Sequence, residues 1–97
     1  MTRNETMLIG AVRAIIDRRK KTHRLPYVAL SREIAAELGG NMTVRQVENT
    51  ADALASINPE TIIFGRNLND TYCALPDIGF GVPDPPKPNN ENNQRTK

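Results

Sequence analysis

The densest chemistry in the chain is a run of cations. Arg18-Arg19-Lys20-Lys21-Thr22-His23-Arg24 holds five of the 13 Lys and Arg residues, with Arg13 shortly before it and Asp17 the one acid nearby. Such a cluster concentrates anions even when the net charge is only +2, and in an intracellular protein its commonest partner is a phosphate backbone. The same residues also suit the negative pole of a helix C-terminus, so the run alone leaves both readings open. Other reactive side chains stand by themselves. His23 lies among the cations with no carboxylate beside it to orient a general base, and Cys73 is the single cysteine. Metal-assisted or nucleophilic catalysis needs several converging groups, and no glycine-rich phosphate loop occurs, so the reading is non-enzymatic, with no metal and no cofactor. Cys73 cannot close an internal disulfide and reads as a small strand residue in a reducing compartment.

The elements that position these residues follow from periodicity. With 97 residues, 38% of them hydrophobic, two Phe, two Tyr and no Trp, the chain predicts one small domain with an aliphatic core. Its apolar runs fall far short of the roughly 18–20 residues of a membrane span. No basic-then-apolar leader opens it, so a cytoplasmic location without membrane contact is expected. Met7, Leu8, Ala11, Val12, Ile15 and Ile16 recur at three and four residues, which predicts a first helix ending near Lys21 and capped by Asn4 or Thr6. Pro26 stops it, and Tyr27 to Leu30 reads as a short strand. Ser31 is the candidate cap of a second helix whose inner side is Ile34, Ala35 and Leu38 and whose end is Gly39.

Thr43 with Gln46 has the spacing of a capping box and predicts a third helix to about Ile57, before Asn58-Pro59. Its inner face is read as Val44, Val47, Ala51, Leu54 and Ala55, and its outer face as Arg45, Gln46, Glu48, Asn49 and Asp52. Two β-branched and aromatic runs, 61–64 and 71–75, flank the turn-forming residues 65–70 and predict a hairpin. Composition divides the chain into a domain over 1–75, a short extended segment over 76–82 lying against it, and a Pro- and Asn-rich tail over 83–97 predicted to be disordered.

Helix, short strand, short helix, turn, helix and hairpin, with Ile34, Ala35, Leu38 and Gly39 at the first helix-turn, resemble a winged helix-turn-helix domain over residues 7–75. The apolar position that follows the glycine falls at Val44 or Val47, later than in the usual pattern. The resemblance implies an α+β, mainly α fold of three helices, a strand between the first two and a C-terminal hairpin wing. It implies binding of double-stranded DNA by a small transcriptional regulator or accessory factor, with the third helix in the major groove. Arg45, Gln46 and Asn49 would then read bases. Arg18, Arg19, Lys20, Lys21, Arg24, Ser31, Arg32, Thr43 and Arg66 would contact the backbone, with Met42 beside Thr43 at the helix start.

Ser31 and Thr43 also fit as plain helix caps. Glu48 and Asp52 beside Arg45 would repel phosphates, which keeps an alternative open: a winged-helix module for protein contact through the third helix, the hairpin edge or the tail. A homodimer would use the first helix or a strand edge.

Overall fold

The computed structural model describes residues 2–80. The expectations for residues 81–82 and for the tail over 83–97 lie outside the described residues. Three helices, α1 (Arg3–Lys21), α2 (Ser31–Glu37) and α3 (Val44–Ile57), pack with a three-stranded antiparallel sheet of β1 (Ala29–Leu30), β2 (Ile63–Asn67) and β3 (Asp70–Ala74). Strand order is β1-β3-β2, so the last strand is central and β1 and β2 are its edges.

Helix α1 starts earlier than Asn4 or Thr6 would place it. Thr2 caps it, accepting from the Glu5 N–H at 3.1 Å while Glu5 Oε1 accepts from the Thr2 N–H at 2.8 Å. This reciprocal pair satisfies two otherwise orphaned donors, an advantage neither later residue offers. At the other end the His23 N–H donates to the Lys20 carbonyl and the Arg24 N–H to the Arg19 carbonyl, with His23 at φ 54°. This is a left-handed helix stop, and it gives His23 a conformational role.

The core joins Leu8, Ala11, Val12, Ile15 and Ile16 of α1 to Ile34 of α2 and to Val47, Ala51 and Leu54 of α3. Val44, expected inside, is 42% exposed, so Val47 is the apolar residue that follows the interhelical turn into the core. Gly39, at φ 61°, makes that turn. Ser31 does not cap α2. Leu30 occupies that position, and Glu33 Oε1 accepts from its N–H at 3.0 Å.

Strand pairing shortens the hairpin loop. β2 continues through Gly65, Arg66 and Asn67, and only Leu68 and Asn69 connect Asn67 to its partner Asp70. Gly65 faces Tyr72, whose ring covers it so closely that a Cβ there would collide with the ring end. Residues 76–78 form a turn rather than an extended piece. Ile78 packs on the core, the Phe80 ring meets Tyr72 edge-on at 6.1 Å, and the Phe80 carbonyl accepts from the Tyr27 N–H at 2.8 Å. The packed unit therefore reaches beyond residue 75.

Among the described residues the buried polar side chains are Ser31 and Thr71, and they bond to each other at 2.5 Å. Thr71 Oγ1 also donates to Glu48 Oε2 at 2.7 Å. A threonine hydroxyl has one hydrogen, so Ser31 is the donor to Thr71 and the bonds run Ser31 to Thr71 to Glu48. Thr71→Val keeps the shape but leaves both neighbours short of a partner, and is expected to lower stability by about 1–3 kcal/mol. Ser31→Ala removes only the terminal donor and is expected to cost less. Urea unfolding reads both as lower midpoints at unchanged slope. Midpoints equal to that of the unmodified protein would show that these bonds contribute nothing.

Candidate nucleic-acid interface

Helix α3 owes its position to the burial of Val47, Ala51 and Leu54, which turns Arg45, Asn49, Asp52, Ala53 and Ser56 to the opposite, exposed side. The capping box at its start is present. Thr43 Oγ1 accepts from the Gln46 N–H at 3.1 Å, and Gln46 Oε1 accepts from the Thr43 N–H at 2.8 Å. Gln46, expected as a base reader, is thus engaged as the capping partner, and this bond draws its side chain back toward the start of the helix. Thr43 keeps a hydroxyl hydrogen to donate. Met42 is buried in the core and offers no surface at the helix start.

Glu48 does not share the exposed face with Arg45. It is half-buried and directed to the sheet, where it accepts the Thr71 hydrogen bond. The exposed side of α3 therefore carries Arg45 against a single carboxylate, Asp52, two turns further along.

The basic run divides into two groups. Arg18 is in an ion pair with Glu37 of α2. Arg19, with its side chain only 11% exposed, donates to the Pro26 carbonyl and to Glu33 Oε1, each at 3.1 Å. Glu33 in turn holds the Leu30 N–H. Arg19 thereby ties the end of α1 to the start of α2, and as a phosphate contact it is corrected: its side chain is enclosed, with both terminal nitrogens engaged and Nε buried without a partner. Ser31 is corrected likewise, because its hydroxyl is buried against Thr71.

Arg32 is exposed and pairs with Asp70 at 3.3 Å, and Arg13 with Asp77 at 3.7 Å. Among the described residues, Lys20, Lys21, Arg24, Arg45 and Arg66 take part in no ion pair. Arg18, Arg19 and Arg24 line a groove of about 490 Å³ between α1 and α2, where Glu33 and Glu37 oppose their charge. Sequence reasoning missed Glu33 and Glu37 as partners of the basic run. Their four-residue spacing on one short helix is the signal that points to a shared face.

No family model, curated protein or solved structure matches the chain. Among the described residues no helix is long and apolar enough to cross a membrane, and no group of three or more His, Cys, Asp or Glu is placed to hold a metal ion.

Cys73 faces the core from β3, opposite Phe64, and burial pushes its thiol up from 9.0 to about 12. The unfolded chain loses this proton near its ordinary value while the folded chain keeps it. Stability is therefore fully present below about pH 9 and lost toward pH 12. Between pH 8 and pH 10 the unmodified protein is expected to lose about 1 kcal/mol more than Cys73→Ala, measured by urea unfolding at both pH values. Parallel losses would show that the thiol is not held protonated by the fold.

Proposed function

We propose that the protein is a winged-helix DNA-binding module, a small transcriptional regulator or accessory factor, which sets α3 in the major groove with the β2–β3 hairpin as its wing. Connectivity carries the reading: α1-β1-α2-α3-β2-β3, with the first strand paired to the last so that the hairpin extends from a sheet anchored beside α2. A helix joined through a glycine-containing connection, residues 38–43, to a second, outward-facing helix is an arrangement that can present side chains to base edges.

The electrostatics support the same reading. With Glu48 turned to the sheet, the first two turns of α3 offer Arg45, suited to guanine, and Asn49, suited to adenine. Lys20, Lys21, Arg24, Arg66 and the Thr43 hydroxyl hold phosphates. Arg18 and Arg32 join them by exchanging Glu37 and Asp70 for phosphate, since exposed ion pairs are worth only about 0–1 kcal/mol. Asp52 limits insertion to the N-terminal part of the helix.

Fluorescence anisotropy on duplexes selected from a random pool, compared with unselected duplex and titrated across salt, tests the proposal. Arg45→Ala is expected to cost about 1–3 kcal/mol on selected duplexes and to broaden the preference. The double change Lys20→Gln with Lys21→Gln is expected to weaken binding to every duplex and to lower the salt slope by about two. Equal effects of the two changes on selected and unselected DNA would remove α3 as the reader. No binding to any duplex at low salt would overturn the DNA reading in favour of protein contact.

A further inference from the structure

Side chains alternate along β3, and the side away from the helices has its own chemistry. Thr71 and Cys73 are buried on the core side, so Tyr72 between them lies on the opposite face of the sheet. Its partner in the ladder is Gly65, and because that residue has no side chain the Tyr72 ring lies across β2. Phe80 meets this ring edge-on at 6.1 Å, and its carbonyl accepts from the Tyr27 N–H at 2.8 Å. Tyr72, Phe80, Pro26, Val28, Arg66 and Asn67 enclose a groove of about 440 Å³, a volume in the range of ligand sites.

The lining defines what fits there. Two aromatic rings, Pro26 and Val28 supply apolar surface, while Arg66 and Asn67, both exposed, add N–H donors and the Tyr72 hydroxyl adds an O–H. Among the described residues no carboxylate lines the groove. A proline-rich segment is the complement of such a surface. Its rings are apolar, its proline nitrogens carry no hydrogen, and its carbonyls stay free to accept. Grooves lined by aromatic side chains are the usual receptors for segments of this kind.

The chain carries such a segment beside the groove. Phe80, one of its walls, is the last described residue, and Gly81-Val82 lead from it to Pro83-Asp84-Pro85-Pro86-Lys87-Pro88. Three residues of chain keep Pro83 within about 11 Å of Phe80. A tether this short gives an effective concentration on the order of millimolar, so weak contacts suffice to fill the groove. Charge agrees as well: Asp84 stands among the prolines, and Arg66 takes part in no ion pair among the described residues. We infer that the groove over Tyr72 is a docking site for residues 83–86 of the same chain, with proline rings against Tyr72 and Phe80 and Asp84 toward Arg66. The inference does not rest on the DNA reading of α3. It leaves Arg66 free to exchange Asp84 for phosphate, because exposed ion pairs are weak.

NMR on the full-length chain tests the docking. Nuclear Overhauser contacts are expected between the Tyr72 ring and the side chains of Pro83, Pro85 or Pro86, at intensities that do not change on dilution. The double change Pro85→Ser with Pro86→Ser is expected to abolish them and to empty the groove. A synthetic peptide of residues 82–88 is then expected to shift the Tyr72 ring signals of that variant at concentrations roughly tenfold lower than it needs with the unmodified protein. Asp84→Lys is expected to weaken the contacts, and Arg66→Glu added to it is expected to restore them. Absence of any contact from residues 83–86 to the Tyr72 ring, or contacts undiminished by the double proline change, overturns the docking. Contacts found only between differently labelled chains assign the groove to a second copy and overturn it as well. None of these results bears on the DNA reading, which the duplex titrations test separately.

Discussion

The Thr71 hydroxyl accepts from Ser31 and donates to Glu48, and through it the start of α2, the central strand and the second turn of α3 are joined by two hydrogen bonds. Apolar contacts among Val47, Ala51, Leu54 and their neighbours supply most of the stability, but such contacts are non-directional and tolerate small rotations. Hydrogen bonds in a buried setting do not, because a rotation of α3 that moves Glu48 away leaves the buried Ser31–Thr71 pair one acceptor short. The polar bonds therefore set the angle of α3 against the hairpin, and the aliphatic core holds it there. They also turn Glu48 toward the sheet, away from the exposed side of α3 that carries Arg45.

Charge on this protein is arranged by tertiary pairing rather than by linear density. The run from Arg18 to Arg24 is uniformly basic in sequence, yet Glu33 and Glu37 of α2 reach its first two residues and leave the later ones. Arg19 does structural work: its guanidinium spans the Pro26 carbonyl and Glu33, which in turn satisfies the Leu30 N–H. The connection from α1 to α2 passes through β1, so holding it also holds the edge of the sheet. What remains for an external anion is a smaller and more definite set than the composition suggests.

Much of this was legible in the residues. The three- and four-residue spacing of Leu8, Ala11, Val12, Ile15 and Ile16 located the buried side of α1, and Gly39, the Thr43–Gln46 pair and Pro59 marked the ends around α3. These signals are local, and local signals survive into the fold. The failures came where a distant partner decides. Val44 and Val47 are equally apolar, and only the packing of α3 chooses between them. Gly65 and Asn67 favour turns in isolation, but pairing with Tyr72 and Asp70 keeps them extended and confines the connection to Leu68 and Asn69. The exposure of Arg45 and Asn49 on the outer side of α3 was legible from spacing. The commitment of Gln46, Arg19 and Ser31 elsewhere was not, because spacing shows who can meet whom along one helix and says nothing about which acceptor is already taken.

The order β1-β3-β2 has a consequence for how copies of the chain behave together. A sheet with open edges is a template for further strands, and indefinite addition leads to fibres. One edge here is only two residues long, too short to recruit a stable neighbour. The other, β2, is longer, but Arg66 lies on it and repels the same residue of a copy that pairs antiparallel about that position. That cation thus acts as a gatekeeper against edge-to-edge growth. Replacing it with an apolar residue would open this edge to recognition of the chain by itself.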